Sequence, residues 1–330
     1  MVRAVVVVVV FVFVFGCAPK LDDRLFHVVA PRVIAVRAEP AEAPAGATVT
    51  YTALQVSADG EITDAIDWAF CIERAPLASL GSVSVNCTLA QSDALVPFAS
   101  GAIQAMGAIP VEACRIFGPD VPATMMGQPP GRPVDPDPTG GYYQPVRLLA
   151  TDDLAATIER TRLSCGLASG TGEDRSDFMR RYHANRNPAP SAIDLALPAG
   201  TTTIDASQPT PAPIAVSAGA RVAITVHWTE CSSAVDQLGA DGCSGAEPYL
   251  AYDDARASLV ERREAIRVGW YATNGTLDQD QTGVAASDPT TSTDDAWVAP
   301  DVAGPASLWF VVRDDRGGVG WFRIDLVVTT

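Results

Sequence analysis

The chain has 330 residues, and its 39 acidic against 23 basic side chains give a formal charge of −16. That balance argues against a nucleic-acid binder, which needs clustered Lys and Arg to displace counterions. It also argues against electrostatic adhesion to anionic lipid. Hydrophobic residues make up 48% of the sequence, which fits packed modules rather than a disordered acidic chain, and the length suits two of them.

Met1-Val2-Arg3 is a short basic start, and Ala4 to Phe15 is an unbroken apolar run. At about 12 residues the run is too short to cross a ~30 Å hydrocarbon core as a helix, but it suits the apolar region of a secretory signal. It ends in Val14-Phe15-Gly16-Cys17, followed by Ala18-Pro19-Lys20. This junction resembles the bacterial lipobox, in which a small residue precedes a cysteine that is lipidated and becomes the new N-terminus. The resemblance implies a lipoprotein signal peptide over 1–17 and lipidation at Cys17. With Ala18 after the cysteine, it also implies transport to the outer membrane, on its periplasmic or surface face. Residues 18–30 read as a tether.

Arg32 to Ala38 reads as a strand, stopped by Glu39-Pro40 and the Pro44-Ala-Gly46 turn. Ala47 to Ser57 alternates Val49 and Tyr51 with Thr48, Thr50 and Thr52, the pattern of a half-buried strand. Ala65 to Glu73 puts Ile66, Trp68, Phe70 and Ile72 on one face and Asp67, Cys71 and Glu73 on the other. Gly118 to Gly141 is a proline-rich loop whose density of Pro cannot run through a sheet. Tyr142 to Ala150 and Leu154 to Leu163 predict a hairpin around Thr151-Asp152-Asp153. Glu173 to Ala184 predicts a short helix capped by Ser176, leading into the Pro-punctuated stretch Asn187-Pro188-Ala-Pro190. Arg221 to Thr229 turns Val222, Ile224, Val226 and Trp228 inward and Arg221, Thr225 and His227 outward. Asp253 to Glu264, acidic first and basic later, predicts a second helix. Residues 265–272 share Ile266, Val268 and Trp270 on one face, and Asn274-Gly275 turns the chain. A last hairpin joins Ser307–Arg313 to Val319–Val328 through Asp314-Asp315-Arg316-Gly317-Gly318. Its inward face is Leu308, Phe310 and Val312 with Phe322, Ile324 and Leu326.

Two runs of short strands, each with inward tryptophans, resemble immunoglobulin-like β-sandwiches. The phrase from Glu42 to Tyr51 (EAPAGATVTY) is similar to the opening of bacterial Ig-like or PKD-type modules. The resemblance implies a mainly β chain with two tandem immunoglobulin-like antiparallel sandwiches, over 31–168 and 192–330, joined by a helical linker over 169–191. It puts no catalytic residue on any position.

Setting Cys17 aside, six cysteines remain, an even number for a disulfide-permitting compartment. Chain order suggests Cys71 with Cys87, Cys114 with Cys165 and Cys231 with Cys243. The chemistry of catalysis is sparse. The three histidines, His27, His183 and His227, are scattered, and no metalloprotease, nucleophile-elbow or P-loop motif occurs. The acidic run Asp278-Gln-Asp280-Gln-Thr282-Gly283 has oxygens at alternate positions, as calcium loops do, but its twelfth position is Pro289 and supplies no bidentate carboxylate. Asp135 and Asp137 rank lower, so neither metal nor cofactor is expected. Trp309 and Trp321 fall together on the outer face of the last hairpin with Val311 and Arg323. There they either stack on a ligand or pack beneath another part of the chain. The expectation is a non-catalytic, lipid-anchored envelope protein that contacts a protein or glycan. The alternatives are a structural accessory subunit and, behind it, a hydrolase built around His183 or His227.

Overall fold

A computed structural model describes residues 25–76, 81–119, 137–150, 156–237 and 243–330. Cys17, Asp135, the hairpin tip at Thr151 to Asp153 and most of the proline-rich loop lie outside the described residues.

The first sandwich is built by β1 Arg32–Glu39, β2 Glu42–Ala43, β3 Thr48–Ser57, β4 Gly60–Glu61, β5 Ile66–Cys71, β6 Leu95–Ala99, β7 Gln104–Ala108, the short helix α1 Ala113–Phe117, β8 Tyr142–Ala150 and β9 Thr157–Leu163. One sheet pairs β1, β3 and β4 with β7 on β3, and the facing sheet runs β2-β9-β8-β5-β6. The period-two pattern works as predicted: Val49, Tyr51 and Ala53 of one sheet pack on Ile66, Trp68 and Phe70 of the other. The turn before β3 is set locally. Ala47 N–H donates to the Pro44 carbonyl at 3.1 Å, and Gly46 sits at φ +80°, where only glycine is free of strain in a type II turn.

The second sandwich follows the linker helix α2 Gly172–Arg181. Its strands are β10 Ala192–Leu197, β11 Gly200–Asp205, β12 Ile214–Ser217, β13 Arg221–His227, the hairpin β14 Pro248–Asp253 with β15 Ser258–Arg263, β16 Ile266–Ala272, β17 Thr276–Leu277, β18 Gln281–Val284, β19 Ser292–Val298, β20 Gly304–Asp314 and β21 Val319–Thr329. The sheets run β11-β10-β13-β19-β17 and β12-β21-β20-β16-β18. Each sandwich begins in the same way. A first strand pairs antiparallel in one sheet (β1 on β3, β10 on β13), and a short segment then crosses to pair parallel with the last strand of the opposite sheet (β2 on β9, β12 on β21). This exchange between sheets closes two immunoglobulin-like sandwiches in tandem. The inward sets predicted for 221–229, 265–272 and the last hairpin all lie in the second core. The disulfides are Cys71–Cys87, Cys114–Cys165 and Cys231–Cys243, the pairing expected from chain order.

Three local expectations are corrected. The helix predicted over 173–184 spans Gly172–Arg181, and its cap is Thr171, reciprocally bonded with Asp174, while Ser176 donates back to the Gly172 carbonyl. Asp253 to Glu264 is not helical. It is the turn and second strand of the β14–β15 hairpin, in which Asp253 Oδ1 accepts the N–H groups of Ala255 and Arg256. Leu250 and Leu259 of the hairpin pack on Phe178 of α2, and that contact outweighs a charge order worth only tenths of a kcal/mol. Finally, residues 25–28 are not free tether. Phe26 is buried in the second core, and the segment adds in parallel beside Ala272 of β16.

The linker is pressed into the structure rather than looped out. Gly320 of β21 has no room for a side chain, because a Cβ would lie 2.0 Å from the Pro188 carbonyl oxygen. Asn187 donates to the Ala38 carbonyl and accepts from Val319 N–H. Because Phe26 is a core residue, Phe26→Ala is expected to cost about 3–5 kcal/mol and to lower the thermal midpoint clearly. An unchanged midpoint would return residues 25–28 to the tether.

Candidate functional site

The turn of the last hairpin reads as a solvent loop in sequence, yet it points its cation inward. Asp314 Oδ1 accepts the N–H groups of Arg316 and Gly318, each at 2.8 Å. Gly317 sits at φ +101°. Arg316 is 0% exposed. One Nη donates to Glu42 Oε2 at 3.2 Å, to Tyr182 Oη at 3.0 Å and to the His183 carbonyl at 3.0 Å. The other reaches Glu264 Oε1 at 3.3 Å. The guanidinium also lies 5.6 Å from the Tyr182 ring centre and 5.0 Å from that of Tyr249. A single cation therefore joins the first sandwich (Glu42), the linker (Tyr182, His183) and the second sandwich (Glu264).

Glu42 is fully engaged. It accepts from Ser164 Oγ, from Tyr182 Oη and from Asn185 N–H, and it pairs with Arg162 Nε at 3.2 Å. Arg162 donates onward to Thr139 and Tyr143. Glu247 pairs with Arg186, and its N–H donates to Glu264. Burial is the main reason that Glu264 is held well above the usual carboxylate range, with the charge of Asp314 adding to it. Burial likewise pushes Asp314 up to about 6, against the pull of the Gly318 N–H and Arg316.

Beside this cluster opens a cavity of about 210 Å³. Leu163, Leu167, Phe178, Leu250 and Tyr252 line it, Glu42 and Arg162 form its floor, and Ala168 and Met179 stand at the exposed rim. The wall 164–169 is held by the Cys114–Cys165 bridge. The helix wall is held by Arg181, which pairs with Asp177, Asp236 and Glu261. With the floor charges spent on one another, the cavity presents mostly apolar and aromatic surface to a guest, together with the polar side chains of Ser169 and Asp254.

The residues singled out from sequence lie elsewhere. Trp309 and Trp321 do not form an exposed ligand surface. Trp309 is fully buried, its indole N–H donates to Glu61 Oε1 at 3.1 Å, and both rings pack with Ile34, Leu54 and Val56 of the first sandwich. Arg37 stacks over Trp321. The outer face of the last hairpin is thus a seam between the sandwiches. His227 Nε2 lies 3.0 Å from Asp194 on the outer sheet face, His27 contacts the Thr273 carbonyl, and His183 contributes a carbonyl to Arg316. Asp278 pairs with Arg221, and Asp137 accepts from Thr139, Gly141 and Tyr143. Among the described residues, no group of three or more His, Cys, Asp or Glu side chains is placed to hold a metal ion. Glu42, Arg162, Tyr182, Glu264 and Arg316 were not flagged in sequence. Their one trace there is Arg162, a charge in a strand position whose neighbours Thr161 and Leu163 face the core.

No family model matches the chain, and no curated protein sequence matches it. Solved structures give remote likenesses. The adhesin InvE of Yersinia pseudotuberculosis is 7% identical over 90% of this chain and 58% of its own, with a TM-score of 0.22. The α2-macroglobulin of E. coli is 8% identical over 89% and 16%, with a TM-score of 0.23. The human OSCAR ligand-binding domain is 10% identical over 92% and 100%, with a TM-score of 0.19. The chain spans little over half the length of the adhesin. At these scores the likenesses carry no weight, and the immunoglobulin-like assignment stands on the strand pairing alone.

Removing the clamp cation takes one partner from a buried ion-pair network and leaves Tyr182, the His183 carbonyl and Glu264 without their shared donor, so Arg316→Met is expected to cost about 3–5 kcal/mol. Glu264→Gln, which substitutes a neutral group where burial already favours one, is expected to cost less than about 1 kcal/mol. Equal midpoints for the two variants would remove Arg316 as the clamp.

Stability should also depend on pH in an unusual direction. Above pH 6 Asp314 is ionised in both states, and its burial opposes folding. As pH falls from about 6 toward about 4 the folded chain takes up the proton first, so stability rises over that window. Asp174, Asp194, Asp205, Asp278 and Asp288 are held low, chiefly by hydrogen bonds from Thr171, Thr203, Ser207, Arg221 and Thr290 respectively. What they contribute is lost only below the ordinary carboxylate range, below about pH 4. Thermal midpoints are therefore expected to be higher at about pH 5 than at about pH 7.5, and a lower midpoint at the acid value would contradict this assignment.

Proposed function

We propose that this chain is a non-catalytic, lipid-anchored protein of the cell envelope that binds a protein partner through the junction cavity. The observation that carries this reading is an apolar cavity, walled by both sandwiches and the linker, whose floor charges are already paired. Such a pocket suits one large apolar or aromatic side chain as an anchor. The deep polar groups, Glu42 and Arg162, are engaged with one another, and the polar lining beyond them includes Ser169 and Asp254, so a partner that brings an apolar anchor with a polar flank suits the pocket. Three disulfides fit folding in an oxidising, extracytoplasmic environment, which agrees with the export signal. Among the described residues no helix is long and apolar enough to cross a membrane, and the resemblance at Cys17 supplies a lipid as the anchor.

The test uses a photo-crosslinking amino acid at Met179, which is 74% exposed at the cavity rim. In intact cells it is expected to give a discrete crosslinked protein. That product should be absent with the same probe at Val85, and it should be lost when Ala168→Trp fills the mouth of the cavity. Equal crosslinking at both positions, or no effect of the filled cavity, would refute the cavity as the binding surface.

A further inference from the structure

We propose that the protein stands on its bilayer through the Ala272 end of β16, with the junction cavity turned away from the membrane. This rests on the lipid-anchored reading above. The argument is where the chain joins the fold. Ala272 N–H donates to the Phe26 carbonyl at 3.0 Å, and Val28 N–H donates to the Ala272 carbonyl at 2.9 Å. Arg32 closes the segment from the other side, donating to the carbonyls of Leu25 at 2.7 Å and His27 at 3.3 Å. The described chain therefore joins the fold at 25–28, at the seam between the sandwiches and ahead of the first strand of the first sandwich.

From Cys17 to Leu25 is 25 − 17 = 8 residue steps, which reach at most roughly 29 Å when fully extended. The cavity lies past the other end of β16. Ala272 pairs with Leu308, while Ile266 pairs with Asp314, next to the Arg316 cluster. The seven residues of β16 span about 20 Å, and the cavity shares Glu42 and Tyr182 with the Arg316 cluster at that end. To bring that end onto the membrane, the tether would have to run back along the body nearly taut and give up most of its conformational freedom.

Two side chains suit the opposite placement. Phe26 and Val28 point inward, while Leu25 and Val29 are 64% and 63% exposed. They put apolar surface at the point nearest the lipid. The loop at Thr276–Gln281, which forms a hollow with Phe26, lies on the same side. With a charge of −16, the body has no electrostatic adhesion to anionic lipid to compete with this geometry.

Hydrogen–deuterium exchange tests it on the full acylated protein floated with vesicles of phosphatidylethanolamine and phosphatidylglycerol. The reference is the Cys17→Ser chain, exported behind an ordinary signal peptide and free in solution. Exchange in 25–31 and 276–281 is expected to slow at least about threefold on the vesicles, with 163–169 and 250–254 unchanged. Slowing at the cavity segments, or at no segment of a protein that floats, would overturn the orientation while leaving the anchor intact. Mature protein that carries no acyl group on Cys17 by mass spectrometry and does not float would overturn the anchored reading, and the orientation with it.

Discussion

A cation with no exposure to water dictates how this molecule is assembled. Arg316 can stay charged in the interior only if its charge is matched, because an unmatched buried ion costs several kcal/mol. Its partners come from three separate stretches of chain: Glu42 near the start of the first sandwich, Tyr182 and His183 in the linker, and Glu264 just before β16. Displacing any one of these stretches removes part of that match. The junction is thus cooperative. What the arrangement confers is a fixed mutual geometry more than net stability, since a buried ion pair gives little stability of its own.

The seam reinforces that geometry with apolar contact. Trp309, Val311 and Val319 of the second sandwich meet Ile34, Leu54 and Val56 of the first, with Val28 between them. The Trp309 indole finds Glu61, and Arg313 donates to the Ile34 carbonyl. A tandem of immunoglobulin-like modules is often pictured as beads on a flexible string. Here an outer sheet face of each bead is covered by the other, so a cavity shared between them keeps its shape. A preformed pocket of this kind spares a partner the cost of ordering it on binding.

The cavity and the clamp divide the labour of the junction. Glu42 and Arg162 are spent on one another, and Leu, Phe and Tyr side chains make the apolar part of the lining, with Ser169 and Asp254 among its polar groups. The three histidines are tied to Thr273, to Asp194 and, through the His183 carbonyl, to Arg316.

The strands, their inward faces and the cysteine pairing were legible in the sequence. A residue alternation of two has one physical meaning when one face is core, and the bridges join cysteines that neighbour one another along the chain. Val222, Ile224 and Val226 could hardly point elsewhere. The sequence was silent on the second face of a sheet. Trp309 and Trp321 look the same whether solvent, ligand or another sheet covers them, and only the first sandwich decided it. The same holds for Phe26, whose burial needs β16 to be in place, and for 253–264, where a charge order suited to a helix yielded to the packing of Leu250 and Leu259 on Phe178. Arg316 is the sharpest case. Asp-Asp-Arg-Gly-Gly specifies a tight turn through local hydrogen bonds and a left-handed glycine, but nothing local says whether its arginine meets water or Glu42. That is settled by groups as far as 274 positions away in the chain, whose joint placement exists only in the folded state.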